Sequence, residues 1–226
     1  MKLLNYSKKF FFLQNFFDKK LLFFRLKIYN IFKEKILFNS KTKVLDVGTV
    51  SLTSKNENVF IHQYPYKNQI TCLSDQDCSS LLKLYPDMKT LIGDGRNLKF
   101  DDNSFDIVHS NATIEHVGSY KNQYRFIKEL IRVSKNYVFL TTPSRYFLFD
   151  LHTKYPLLHW LPKILHRKIL RIIGDDFFSY EENLNLLSKK DLINLCKKIK
   201  GIKYDFYFNK FLFFNCNIVL LIRKNK

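Results

Sequence analysis

Much of the chemistry that this chain could perform is concentrated between residues 91 and 118, LIGDGRNLKFDDNSFDIVHSNATIEHVG. A short apolar run ends there in Gly93-Asp94-Gly95. A carboxylate at such a point suits an exocyclic amine donor, the alternative being an ordinary loop between strands. A second apolar run leads to Asn111 and then to Glu115-His116. An unperturbed imidazole titrates near neutrality, so His116 is a candidate general base. Its competing role is that of a packed or helix-capping histidine. Upstream, VLDVGTVS places Asp46, Gly48 and Thr49 at the end of another apolar run. A glycine directly after a strand lets backbone approach a ligand closely, and Asp46 can organise the loop by accepting backbone N–H groups. In ITCLSDQD, Asp75 follows a third run. An acidic residue there suits ribose hydroxyls, whereas Ser74 or Asp75 could instead cap a helix.

These residues need a scaffold that gathers strand ends. Residues 43–47, 70–73, 91–92, 105–109 and 137–141 read as strands, and 77–85 and 120–133 as helices. Such alternation implies right-handed crossovers and a parallel sheet, with ligands beyond the carboxyl ends of the strands. Ser134-Lys135-Asn136 is expected to form a tight turn, since asparagine tolerates a left-handed conformation. Residues 202–208 and 211–222 read as a terminal hairpin joined by Asn209-Lys210. An insertion at about 143–180 holds three of the five prolines and the only tryptophan, and its position after a strand end suits a substrate lid. Residues 1–40 carry nine Lys or Arg and nine Phe against Asp18 and Glu34, with no Gly or Pro. Two amphipathic helices with a break near residues 15–18 fit this pattern. A layer packed on the sheet is favoured over a membrane-surface anchor.

With 226 residues, one α/β domain at 41–226 with the appendage 1–40 is the natural organisation. Hydrophobic residues make up 46% of the chain, enough for a sizeable core. The net charge of +18 comes mostly from lysine, with only eight arginines. Abundant Lys, Asn, Phe, Ile and Tyr are what A/T-biased codons produce, so composition is favoured over an anionic partner as the cause. The four cysteines form no CxxC pair, and no cleavable leader pattern stands at the front. Reduced thiols, no zinc site, no disulfide framework and a cytoplasmic protein are therefore expected. Peripheral association with the inner face of an anionic membrane is the alternative location. The apolar run at 211–222 falls short of a membrane span.

The order Asp46-x-Gly48, Asp94-Gly95, Phe105-Asp106-Ile107-Val108, Asn111 and Glu115-His116 resembles class I S-adenosylmethionine-dependent methyltransferases, of the type 11 or ubiquinone/menaquinone methylase-like branch. Thr142-Pro143-Ser144-Arg145, His152-Thr153 and Pro156-Leu157-Leu158-His159-Trp160-Leu161-Pro162 narrow the resemblance to bacterial methyltransferases of surface-glycan gene clusters. It implies a Rossmann-like fold with a mostly parallel seven-stranded sheet, an antiparallel last strand and helices on both faces. It further implies S-adenosylmethionine bound by Asp46, Gly48, Thr49, Asp75, Asp94, Gly95 and Asn111, with a catalytic role for His116. Asp106 would be structural. Arg145, His152 and Tyr180 would meet the acceptor, which is a small molecule, a glycan or a lipid-linked compound. No metal is demanded, because the leaving group is neutral, and nucleic acid is disfavoured as a partner. The family's first loop runs Asp-x-Gly-x-Gly, and here Val50 stands at the second glycine. Val50 and the positive charge favour an alternative, a catalytically inactive methyltransferase-like binding module at a membrane or on RNA. A nicotinamide-dependent oxidoreductase would want GxGxxG after the first strand, which this chain lacks.

Overall fold

The computed structural model describes residues 11–51, 53, 56–211 and 213–225, with backbone alone for 11–19. The expected helix over residues 1–10 lies outside the described residues. Seven strands form one sheet: β1 (Val44–Val47), β2 (Ile70–Ser74), β3 (Lys89–Ile92), β4 (Phe105–Asn111), β5 (Ser134–Pro143), β6 (Ile202–Phe211) and β7 (Phe214–Lys224). Their order is β3-β2-β1-β4-β5-β7-β6. β1 to β5 pair in parallel, and β7 runs antiparallel to both β5 and β6. The order reverses at β1, so β2 and β4 leave its carboxyl end on opposite sides and open a crevice there.

Both faces of the sheet are covered. On one lies helix α3 (Tyr120–Val133), entered through Ser119, whose hydroxyl accepts the Asn122 N–H. Its Gln123, Phe126, Ile127, Leu130 and Ile131 recur at helical spacing and are buried, the apolar four packing with Val47, Leu73, Val108 and Leu140. On the other face lies α1 (Phe11–Lys35), followed after β1 by the short α2 (Val59–Gln63). Ile28, Tyr29, Phe32 and the following Ile36 join Val44, Ile70, Ile107 and Phe139 in a second cluster. The Phe32 ring is fully buried, its centroid 5.0 Å from Phe60 and 5.4 Å from Phe139.

Four local expectations are corrected. The first helix is continuous through residues 15–18, because Asn and Asp each cost a helix interior only a few tenths of a kcal/mol. Residues 77–85 form only a 3-10 turn, Ser79–Lys83, rather than an α-helix. There the Asp77 carboxylate accepts both the N–H and the hydroxyl of Ser79, offering the backbone an alternative to helix. No turn separates α3 from β5: Ser134 ends the helix and begins the strand in an extended conformation, and Asn136 is an ordinary strand residue. The final hairpin turns after Phe211, not at Asn209-Lys210, because the buried Asn209 side chain donates to Phe24 O at 2.8 Å and holds that part of β6 against α1.

Between β5 and β6 the chain inserts α4 (Lys163–Ile172) and α5 (Asp176–Ser179) before α6 (Lys189–Cys196). The insertion returns to its start, with Arg145 N–H donating to Leu187 O at 3.0 Å. No described helix is long and apolar enough to cross a membrane.

Candidate functional site

A groove of about 750 Å³ runs along the carboxyl ends of β1, β2 and β3. Gly48 opens it, with φ +88, its N–H donating to Leu73 O at 2.8 Å. A Cβ on Gly48 would lie 2.0 Å from Thr113 Oγ1, so no other residue fits without displacement. Asp46 sits beneath the loop and is buried. Its carboxylate accepts the Thr49 hydroxyl at 2.6 Å and pairs with the His109 ring. It therefore organises the loop through two side chains rather than the expected backbone N–H groups. Val50, at the missing glycine, carries no positive φ. The Asn58 carboxamide accepts its N–H at 3.2 Å and donates to its C=O at 2.8 Å, so the loop closes without a second glycine.

At the groove's far wall, Asp75 follows β2 and is exposed. Neither Ser74 nor Asp75 caps a helix: the 3-10 turn has no side-chain cap, Ser74 Oγ accepts the Gln76 N–H at 3.2 Å, and Asp77 accepts that of Ser79. Asp94 also lines the groove, and its carboxylate receives Arg96 Nη2 at 2.8 Å. Hydrogen bonding from Arg96 outweighs partial burial and holds the Asp94 pKa below the usual carboxylate range. A Cβ on Gly95 would fall 2.5 Å from Phe126 and 2.9 Å from Val47, both buried, so the backbone there lies against the core as only glycine allows.

A second cavity, of about 220 Å³, adjoins the groove and shares Gly48, Thr49, Val50, Ala112 and His116 with it. Its walls mix aromatic with polar groups, among them Tyr29, Phe60, Arg25, Glu57 and Asn58. His109 lies under it, stacked on Phe60 at 3.9 Å. Asn111 lines this cavity rather than the groove, its side-chain oxygen accepting the Thr141 hydroxyl.

His116 and His152 meet at the junction. Their Nε2 atoms are 3.1 Å apart. His116 Nδ1 is 2.7 Å from Asn183 O, which can only accept, so Nδ1 carries a proton. His152 Nδ1 donates to Asp150 at 3.1 Å. Burial opposes ionisation of Asp150, but hydrogen bonds from His152 and Thr153 and the His152 charge hold its pKa down at about 2. Burial lowers the His152 pKa, yet the Asp150 hydrogen bond and the Glu115 and Asp150 charges raise it overall. Glu115 is fully buried, with Oε2 accepting the Thr142 hydroxyl at 2.9 Å.

The expected acceptor contacts are only partly gathered. His152 lines the cavity, but Arg145 does not. Arg145 donates to His159 O at 3.3 Å and Leu161 O at 2.8 Å, because the inserted segment folds back and needs donors for those carbonyls. Tyr180 is exposed, its ring 5.3 Å from the Arg171 guanidinium, away from both groove and cavity. Asp150, His109 and the pairing of His152 with His116 were missed in the sequence. The Asp150-x-His152 spacing was their only local signal.

Residues 65–140 match the family described as a methyltransferase domain. Three solved structures share the whole architecture. A Methanosarcina mazei S-adenosylmethionine-dependent methyltransferase is 17% identical, with a TM-score of 0.55 over 83% of this chain and 94% of that one. A possible histamine N-methyltransferase of Thermotoga maritima is 15% identical, with a TM-score of 0.55 over 98% and 96%. A Pyrococcus horikoshii protein is 17% identical, with a TM-score of 0.59 over 89% and 90%. The chain has the fold of the S-adenosylmethionine-dependent methyltransferases. None of the curated proteins matches it. The domain match and the shared fold support a methyltransferase enzyme with S-adenosylmethionine as its cofactor. The groove of this methyltransferase fold suits that cofactor: Gly48 and Gly95 let its backbone run where no Cβ fits, and carboxylates stand at the ends of β2 and β3.

Proposed function

We propose that the protein methylates a hydroxyl or amine of a small polar acceptor, a sugar of a surface glycan or of its lipid-linked precursor being the class that fits. The cavity of mixed aromatic and polar walls that meets the groove at His116 carries this reading. The Arg25–Glu57 pair at the wall suits hydroxyls better than an apolar quinone ring, and the aromatic walls suit a sugar face. The resemblance of residues 142–162 to methyltransferases of glycan gene clusters points the same way.

When bound, S-adenosylmethionine supplies an electrophilic methyl group to a nucleophile in line with its leaving sulfur. The backbone of Gly48–Val50 would border its amino-acid end. Asp75 would hold the ribose, and Asp94 with the Gly95 N–H would hold the adenine. In the cavity the chain's own groups orient the acceptor and exclude water, which supplies much of the acceleration. His116 Nε2, unprotonated in the tautomer fixed by Asn183 O, is placed to take the acceptor's proton. The segment 145–180 brings His152 to the cavity and serves as the lid.

Titration calorimetry with S-adenosylmethionine tests this reading. Asp94→Ala is expected to weaken binding by about 1–3 kcal/mol, the cost of losing a charge-assisted hydrogen bond to the adenine amine. Releasing Arg96 subtracts little, since such exposed pairs are worth about 0–1 kcal/mol. Unchanged affinity in a folded variant would remove Asp94 from the cofactor site. No binding to the parent protein would favour the inactive binding module.

A lipid-linked acceptor gains support from one further surface. Ile164, Leu165, Ile172 and Phe177 are exposed on α4 and α5 beside the exposed Lys168 and Arg171. Apolar side chains interleaved with cations suit an anionic interface, each cation adding up to about 1 kcal/mol near it. The protein is expected to sediment with phosphatidylglycerol vesicles at low salt and to be released as salt rises. Ile164→Glu with Phe177→Glu is expected to abolish sedimentation; retention by that double variant would rule this surface out.

A further inference from the structure

Glu115, His116 and His152 bring one carboxylate oxygen and two imidazole nitrogens within 4.8 Å of one another. Each histidine has its Nδ1 proton committed elsewhere, to Asn183 O and to Asp150. Two Nε2 lone pairs therefore face each other across 3.1 Å, an arrangement that needs something positive between them. Beside them, Glu115 Oε1 is buried, has no hydrogen-bond partner, and lies 3.9 Å from His152 Nε2. A single shared proton would join the two rings but leave Glu115 Oε1 unsatisfied, at a cost that buried carboxylates rarely bear.

We propose that Glu115 Oε1, His116 Nε2 and His152 Nε2 form a binding site for one divalent transition-metal ion, of the zinc, manganese or iron type. Ligands at about 2.0–2.2 Å in tetrahedral array lie roughly 3.3 Å apart; the two rings stand near that at 3.1 Å, and Glu115 Oε1, 3.9 Å from His152 Nε2, with all three atoms within 4.8 Å, would close in by a side-chain adjustment. The surrounding groups are those that metal sites require. Asp150 and Asn183 O fix the two rings through Nδ1, and Thr142 fixes the carboxylate through Oε2. His116 is exposed and faces both groove and cavity, so the ion's open position points to where the acceptor's oxygen or nitrogen would sit. Adjacent Glu115-His116 with a third ligand 36 residues from His116 matches no familiar zinc spacing, and neither the cysteine pattern nor a neutral leaving group called for a metal. The ion's role in acceptor binding rests on the methyltransferase reading and its presence does not; with the ion bound, His116 Nε2 is its ligand and the metal, not that nitrogen, would make the acceptor's proton labile.

The test uses the full chain, stripped with chelator and titrated with Co²⁺ in the absence of S-adenosylmethionine. The visible d–d absorption of the ion reports its ligands directly. One Co²⁺ per chain is expected, displaced by Zn²⁺. His116→Ala and His152→Ala are expected to weaken Co²⁺ at least 100-fold, and Asp150→Asn about 10–100-fold, through the orientation of His152. Melting curves accompany each variant; His116 is exposed, so its variant decides the matter even where His152→Ala unfolds. Absence of a saturable band, or a band unchanged in folded His116→Ala, overturns the proposal and leaves a shared proton between the rings. Calorimetry with S-adenosylmethionine separates the two readings. Co²⁺ binding without cofactor binding keeps the metal site and sinks the methyltransferase reading, and cofactor binding without Co²⁺ does the reverse.

Discussion

Phe32→Ala is expected to lower the unfolding free energy by about 3–5 kcal/mol, a large share of the total for one domain. The ring is fully buried between α1 and the sheet, stacked with Tyr29 at 5.9 Å and edge-on to Phe60 and Phe139. Those neighbours come from three separate parts of the chain and cannot collapse together to refill the space. Removing residues 1–38 takes away Ile28, Tyr29, Phe32 and Ile36 at once and bares Val44, Ile70, Ile107 and Phe139. The truncated protein is expected to lose its cooperative melting transition. An N-terminal segment that served only as a membrane anchor would behave differently, because a peripheral helix can be removed without unfolding the remainder. Chemical denaturation of Phe32→Ala and a thermal scan of the truncated chain distinguish these cases. A truncated chain melting at the parent temperature would show that α1 is dispensable for the fold.

The strands were legible because a parallel sheet covered on both faces makes them nearly continuous apolar runs. Val44–Val47 is buried at every position, and its Asp46 is tolerated because His109 and Thr49 occupy the carboxylate. That Gly48, Asp75, Asp94 and Gly95 line one groove follows for a related reason, since topology brings those strand ends to one crevice. Contacts made through the inserted segment were not legible. Nothing local says that Arg145, one residue past the bridge partner Ser144, would turn to the carbonyls of His159 and Leu161, or that His152 would reach back to His116. Those pairings depend on how the segment folds over the sheet, which periodicity does not encode. Val50 shows the opposite limit: a missing motif glycine suggested a damaged loop. The repair lies eight residues away in the Asn58 carboxamide, whose own left-handed backbone, φ 43, no spacing rule anticipates.

His116→Ala is expected to reduce kcat by about 10²–10⁴-fold, equivalent to roughly 3–5 kcal/mol of transition-state stabilisation. The side chain stands where groove and cavity join, with its Nδ1 anchored and its Nε2 toward His152. Removing it deletes the group proposed to act on the acceptor's proton and the outer half of the histidine pair. The surroundings predict that little else changes. His116 is exposed, the ring's one backbone partner is in the loop at Asn183, and the proposed adenine and ribose contacts are at the ends of β2 and β3. S-adenosylmethionine affinity and melting temperature should therefore stay close to those of the parent. The assay follows S-adenosylhomocysteine release with an acceptor identified by mass spectrometry of ligand that co-purifies with the protein. A fall in kcat with preserved cofactor affinity marks a group that acts in the chemical step rather than in cofactor binding. If cofactor affinity and melting temperature fell together with kcat, His116 would be a packing residue at the loop, and the chemistry would have to be sought at Asn111 and the cavity wall behind it.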